Sequence, residues 1–441
     1  MPAHVGGALH EKRTSPRRRR ADIGPESEMS AKRSILVLNA GSSSLKFALY
    51  DVAASLTETI RGEIENLDSA PHLLARDKSG ATLAERRWSS GEPTDFDSVF
   101  AVMLKFIDER LRGDKLIAVG HRIVHGGAEH VAPQIVTKDL LAALQALTSL
   151  DPLHLPHNLA PIRAIAAARH TLPQVACFDT AFHRTMPPEA SRFALPRALT
   201  EAGVRRYGFH GLSYEFIVKQ LRTKAPALAR GKVIAAHLGA GASLCALRGG
   251  ASVATTMGFS VLDGLVMATR CGTLDPGAIL YLARQGKSFT DIQDLLYRQS
   301  GLLGVSGISG DMRVLIASDD PRAREAIDLF TYRIATEAGG FVSALGGLDG
   351  LVFTAGIGER APMIRAEICN RLSWLGVRLD AAANAANAAR ISSTDSKVEV
   401  RVIATDEEAT IARHTEAAVA PDAAKTRVRP APLASSLHPI N

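Results

Sequence analysis

The sequence predicts an α/β protein of two related domains that face each other across a cleft. Three observations carry this. The apolar run Val233-Ile234-Ala235-Ala236 leads into HLGAGAS, residues 237–243, and the chain leaves through Leu244-Cys245-Ala246-Leu247, which reads as strand, glycine turn, strand. A second copy lies near the start, where Ile35-Leu36-Val37-Leu38 runs into NAGSSSLKFALY, residues 39–50; Gly41 matches Gly239 and, after one residue of slip, Ser44-Leu45 matches Ser243-Leu244. Finally, 441 residues is long for one core and suits two. Gly239 and Gly241 are expected to take backbone conformations that other residues resist, so that successive N–H groups point at one anion. Two such hairpins face to face would hold a phosphate from both sides.

In chain order, a third strand over 55–64 completes an antiparallel meander, and 96–111 has helical spacing. Leu116-Ile117-Ala118-Val119 reads as a buried strand that delivers GHRIVHGG, residues 120–127, into a loop at its C-terminal end, where α/β sheets present their chemistry. A helix runs from Asp139 to about Leu150. Residues 154–161 form a proline-punctuated turn ahead of a helix over 162–168, and Val175-Ala176-Cys177-Phe178 is a strand that ends at Asp179. The first domain is drawn over 34–180, completed by a C-terminal helix at 408–419, and the second over 181–407. The second opens with a helix from Tyr214, then the hairpin and a loop over 257–277; 301–311 reads as a glycine- and serine-rich loop. A long helix over 322–344 leads to a strand over 350–353 and TAGIGER, residues 354–360; a last strand over 399–403 precedes TDEEATIA, residues 405–412, which starts the final helix. Residues 1–33 read as a disordered basic extension and 420–441 as a loose tail.

Hydrophobic residues make up 46% and charged residues 22%, an ordinary globular balance with no apolar run long enough to span a bilayer. The net charge of +7 would suit nucleic acid if it lay on the body, but four of the seven charges fall within residues 1–33. Neither nucleic acid nor a membrane is expected as a partner. The four cysteines show no CxxC spacing and read as reduced thiols of a cytoplasmic protein.

Polar residues collect at strand ends: Asn39, Arg122, Asp179, His210, His237, Arg270, Asp311, Glu359 and Glu407. They hold the parts for moving a phosphoryl group, whose equatorial oxygens need cations while it passes between two oxygens; Arg122, Arg270, a protonated His210 and a metal would supply them. Asp179 and Glu407 are hard oxygen ligands suited to Mg²⁺, and no HExxH or Cys/His cluster suggests zinc. Singly, each has a plainer reading. Arg122 and Arg270 could make structural ion pairs, His154, His157 and His183 could be satisfied turn or core histidines, and Asp275 ahead of Pro276 suits a helix cap better than a catalyst.

NAGSSSLKF, GHRIVHGG, FDTAFH, YGFHG, HLGAGAS, the 257–277 loop, DMR, TAGIGE and TDEE follow one another in the order and spacing of the acetate kinases, so residues 34–415 resemble that family. The resemblance implies two ribonuclease H-like domains of the actin, sugar-kinase and heat-shock ATPase superfamily, and a homodimer joined through the second domain. It also implies Mg²⁺, or Mn²⁺ in its place, held by Asn39 and Glu407. ATP is then expected among Lys46, the stretch His237, Leu238, Gly239, Ala240 and Gly241, the triplet Asp311, Met312 and Arg313, and Gly356, Ile357, Gly358, Glu359 and Arg360. Arg122 should hold the acyl carboxylate in a pocket of Val124, Leu153, Phe209 and Val261, with His210 and Arg270 on the transferring phosphoryl. By the same resemblance Asp179 matches the family's proposed active-site acid or base; since a small carboxylic acid with a pKa of ~4 is already ionised at pH 7, fixing metal or arginine geometry is its expected work.

The implied reaction is reversible in-line transfer of the ATP γ-phosphoryl group to acetate. A propionate or butyrate kinase of the same fold is the nearest alternative, and a non-catalytic actin-like ATP-binding protein is another. The sequence departs from the family pattern at Ala240, Thr273 and Arg360, where the motifs carry Asn, Asp and Asn, and at Val261, where they carry proline.

Overall fold

The computed structural model describes residues 32–420 apart from 42 and 68. The basic extension and the tail therefore lie, but for residues 32, 33 and 420, outside the described residues. Among these the strands form two sheets. The first holds β1 (Arg33–Ala40), β2 (Leu45–Val52), β3 (Leu56–Glu65), β4 (His72–Asp77), β5 (Thr82–Arg87), β6 (Lys115–Ile123), β7 (Gln134–Ile135) and β8 (Gln174–Phe178), in the order β5-β4-β3-β2-β1-β6-β8-β7. The second holds β9 (Lys232–Leu238), β10 (Ala242–Arg248), β11 (Ala251–Thr255), β12 (Gly350–Thr354) and β13 (Glu399–Val402), in the order β11-β10-β9-β12-β13.

The two sheets share one plan. In each, consecutive strands pair antiparallel, five in the first sheet and three in the second, and two later strands continue parallel to the first of them. The doubled glycine hairpin of the sequence is thus the first hairpin of a doubled sheet, with Ala40 opposite Leu45 in one copy and Leu238 opposite Ala242 in the other.

β1 shows why its sequence is continuously apolar. Side chains alternate across a sheet. Leu36 and Leu38 pack with Val99, Phe100, Met103 and Ile107 of helix α1 (Phe96–Leu111), while Ile35 and Val37 pack with Ile411 and Ala412 of the final helix. Both faces are covered, so from Ile35 to Leu38 no position is left for a polar residue until Asn39, near the strand's end. The final helix lies so close to β6 that a Cβ at Gly120 would run into Thr415 and Ile411. A close approach, not a special backbone angle, requires that glycine.

Several local expectations need correction. β6 runs through Ile123, so Arg122 sits on a strand rather than in a loop. The turn expected at 154–161 is the start of helix α2 (Leu155–Ala168), which continues through Pro161. An interior proline costs about 3 kcal/mol, but Leu155, Leu159, Ile162 and Ile165 are all fully buried along one stripe, at roughly 1.5–3 kcal/mol each. Residues 301–306 form a short helix, Gly301–Ser306, rather than a loop. β4 and β5 were not anticipated, because their outer positions are mostly charged. Neither Gly239 nor Gly241 has a positive φ; Gly241 is needed for space, as described below.

Helix α3 (Gly211–Lys224) carries His210 at its N-terminus, and α4 (Pro276–Arg284) and α5 (Pro321–Leu345) precede the final helix α6 (Glu407–Val419). Asp275 accepts from the Gly277 N–H at 2.8 Å, the capping role its sequence position suggests. No helix among the described residues is long and apolar enough to cross a membrane.

Candidate active site

The ends of β1, β6 and β8 meet the first turn of α6. Arg122 on β6 donates to Asp179 Oδ2 from Nε at 3.0 Å and from NH2 at 2.6 Å, and stands 3.9 Å from Glu407 Oε2. Its remaining arm reaches Asn39 Oδ1 at 3.4 Å. Asn39 in turn donates from Nδ2 to Glu407 at 3.1 Å and Glu408 at 3.0 Å. Asp179 is fully buried, and its Oδ1 has no hydrogen-bond partner among the described residues. Burial pushes the Asp179 carboxyl up; Arg122 opposes this and Glu407 adds to it. Burial disfavours charge on Arg122, but Asp179 and Glu407 outweigh that and hold it protonated.

Across the cleft, His210 caps α3 with φ 58°, a left-handed backbone that costs a non-glycine residue ~1–3 kcal/mol and aims its ring back over the β9–β10 turn. The ring stacks on His237 with centroids 4.0 Å apart, and its Nδ1 lies 2.8 Å from Ser243 Oγ. A Cβ added to Gly241 would sit 3.2 Å from His210 Nε2 and 3.9 Å from Arg270 NH1. Any larger residue would fill the space on which histidine and arginine converge.

Arg270 donates to the Val261 carbonyl at 3.3 Å and pairs with His154 Nε2 at 3.2 Å; His154 Nδ1 meets the buried Asp151 at 2.8 Å. Among the described residues no carboxylate forms an ion pair with Arg270. Burial lowers its pKa, Tyr297 and Asp151 oppose the shift, and the positive charge of Arg122 adds to it. The same two arginines also depress His210, so the three groups share one field.

That field corrects the expectation of a protonated His210. Burial first, then His237 and the two arginines, hold its pKa well below the ordinary histidine value, so the ring is neutral. His237 is likewise held down, to about 3, by burial, Arg122 and Lys46.

A cavity of about 770 Å³ opens beside the β9–β10 turn. Gly239, Ala240, Asp311, Met312, Arg313, Gly356, Ile357 and Arg360 line it, eight of the residues expected around a nucleotide. The others stand elsewhere. Lys46 faces His237 electrostatically from β2, and Leu238 is core. Gly358 packs on the backbone of Phe353 and Ala236. Glu359 accepts from the Thr405 N–H at 3.1 Å. Of the acyl-pocket residues, Val124, Phe209 and Val261 belong to one buried cluster, and Leu153 is half-buried beside His154.

Sequence reasoning missed Asp151, His154, Ser243 and Glu408 as parts of the site. Glu408 directly follows Glu407, and Ser243 is the residue that matched Ser44 in the hairpin repeat, so both carried a signal. Nothing in the local pattern around Asp151 and His154 distinguishes them from turn residues. His183, by contrast, is the satisfied core histidine expected, between Ser252 Oγ and the Phe209 carbonyl, both at 2.9 Å.

Buried neutral histidines make stability depend on pH. Burial holds His121, His125 and His183 down to about 4. A depressed histidine leaves the unfolded chain binding the extra proton, so stability is full above the unfolded pKa of ~6.5 and falls as pH drops toward 4, by about 1.4 kcal/mol per pH unit for each group. Tm should therefore drop steeply between pH 6.5 and 5; a flat Tm over that range would contradict the burial of these rings.

A family model described as the acetokinase family matches residues 34–413. An acetate kinase of Rhodopseudomonas palustris is 54% identical over 388 residues, covering 86% of this chain and 97% of that protein. One from Rhizobium meliloti is 46% identical, covering 88% and 99%. Among solved structures, a propionate kinase from Francisella tularensis superposes with a TM-score of 0.80 at 37% identity, covering 87% of this chain and 99% of that one. Porphyromonas gingivalis acetate kinase gives 0.75 at 33%, covering 87% and 98%. By these likenesses the chain is a phosphotransferase, and it belongs to the acetokinase family.

Proposed function

We propose that the chain transfers the γ-phosphoryl group of ATP directly to acetate. An acetate oxygen attacks phosphorus, the bond to the β–γ bridging oxygen breaks, and ADP and acetyl phosphate leave, reversibly. The observation that carries this reading is Arg270: a cation with no carboxylate ion-pair partner among the described residues, converging with His210 Nε2 on the space left by Gly241. In this reading Arg122 grips the acetate carboxylate and Asp179 holds Arg122 in place. Ser243 lies within hydrogen-bond reach of both Tyr214 Oη and His210 Nδ1. With Tyr214 donating to Ser243 and Ser243 to Nδ1, the imidazole proton stands on Nε2, where a neutral ring can donate to a phosphoryl oxygen.

The donor set suits Mg²⁺. Two hard oxygen donors at one point suit an ion that completes its shell with phosphate oxygens and water. Glu407 and Asn39 Oδ1 would hold it, Nδ2 of Asn39 being occupied by the two glutamates. Such an ion neutralises phosphate charge.

We draw the two domains at 34–180 with 408–419, and at 181–407. A second copy of the chain is proposed to cover α4, none of whose residues is buried, together with Phe289 and Trp374, exposed by 80% and 69%. Light scattering at a single chain mass would refute the dimer. Four free cysteines support a cytoplasmic setting.

Propionate is the second substrate to consider, because Val261 stands where the family motif has proline and its carbonyl holds Arg270. One methylene is worth only ~1–3 kcal/mol in such a pocket. Acyl hydroxamate formation from ATP should be fastest per KM with acetate. A preference for propionate or butyrate would move the assignment along the chain-length series, and no product with any of them would end the kinase reading.

A further inference from the structure

Behind the catalytic ends of three elements lies a groove of about 460 Å³ with a cationic lining. Arg184 enters it from the 3-10 helix Asp179–Thr185, Lys219 and Arg222 from α3, whose cap is His210, and Arg413 from α6, which begins at Glu407. Lys219 and Arg222 follow Glu215 by four and seven residues and so share its face of α3. Glu215, the one carboxylate in the lining, is paired with His414 Nε2 at 2.7 Å, which ties α3 to α6.

The four cations are poorly matched. Among the described residues none of them forms an ion pair with a carboxylate. Arg413 turns one nitrogen to Thr410 Oγ1 at 3.0 Å, and Arg184 reaches only the Ala181 carbonyl, at 3.4 Å. Lys219 and Arg413 stand close enough to repel: burial and then the Arg413 charge hold the Lys219 ammonium below its ordinary value, with Glu215 opposing, and Glu215 and Asp406 only partly offset the burial of Arg413. Bringing four like charges to one concave surface with a single carboxylate between them is unfavourable unless an anion offsets it. Three of the four are arginines, whose planar forks fit phosphate oxygens two at a time. The volume admits a small ligand only.

We propose that this groove is a second anion site, separate from the catalytic cleft, which takes a compact multivalent phosphate-bearing anion between α3, α6 and the Asp179–Thr185 helix. The assignment rests on the groove alone and does not depend on which carboxylate the enzyme phosphorylates.

The test is calorimetric titration of the full chain with tripolyphosphate, without Mg²⁺ and with ADP saturating the nucleotide cavity. Wild type and Arg270→Ala should bind one tripolyphosphate per chain with the same Kd. Lys219→Glu with Arg222→Glu should weaken binding by roughly a hundredfold or more, and Lys219→Gln with Arg222→Gln, the pair less able to disturb folding, by roughly tenfold. Inorganic phosphate, with fewer charges, should bind more weakly than tripolyphosphate. The proposal is overturned if Arg270→Ala abolishes binding while the groove variants keep it, since the anion then sits in the catalytic cleft. Absence of binding by wild type overturns it equally.

Discussion

Arg270→Ala should lower kcat by about three orders of magnitude or more while leaving the KM for ATP within a few-fold. Among the described residues the guanidinium forms no ion pair with a carboxylate, and it is aimed, with His210 Nε2, at the space beside Gly241. Its charge is therefore realised only against an anion, most strongly against the charge spread over a phosphoryl group in transfer. Removing one preorganised donor of this kind costs ~10²–10³ in rate, and removing an arginine that stabilises phosphoryl transfer ~10³–10⁵. His154→Ala should reproduce a smaller part of the loss, in kcat rather than KM, because His154 and Asp151 only hold the guanidinium in place. Steady-state kinetics decides: wild-type turnover in Arg270→Ala would remove Arg270 from the reaction.

Arg122→Ala should damage the fold as well as the chemistry. It leaves Asp179, fully buried, without the guanidinium that donates to it twice. Breaking one side of a buried pair costs about 3–5 kcal/mol, because a charge is left with nothing to offset it. Urea unfolding should register that loss, and adding Asp179→Asn should recover much of it by removing the stranded charge. Turnover should stay low in both variants, since neither restores a grip on the substrate carboxylate. If Arg122→Ala alone unfolds within about 1 kcal/mol of wild type, Asp179 is better solvated than its burial indicates.

Those two arginines were legible in the sequence as members of a set, and only the resemblance to the family, not the local pattern around either, implied that they work on one group. Regular apolar runs predicted most strands and the long helices, because a strand covered on both faces has little freedom in composition. Arg122 reads as a loop residue for a related reason: the run Gly120-His121-Arg122 looks polar, yet His121 is buried and bonded to Gln174, so the strand continues beneath polar letters. Pro161 misled in the same way, its breaker chemistry being overridden by the stripe it interrupts. The protonation of His210 could not be read at all. It follows from burial first, then from the stacked His237 and two arginines that arrive from distant parts of the chain, and neither leaves a trace in local pattern. Gly241 carried the right residue for the wrong reason, since what matters there is an absent Cβ and not an unusual φ.

The packing of α6 has a consequence for how the molecule comes into being. This helix, at 407–419, covers one face of a sheet whose first strand begins at residue 33, and it also brings Glu407 and Glu408 to Asn39. During synthesis the earliest strands must wait for nearly the whole chain to emerge before Ile35 and Val37 are shielded from water. Until then that apolar face is open to wrong partners, which makes the nascent protein dependent on protection from aggregation. The same arrangement guards against premature chemistry: a chain interrupted before its last helix has neither a finished first sheet nor the carboxylates beside Asn39, so assembly and competence arrive together.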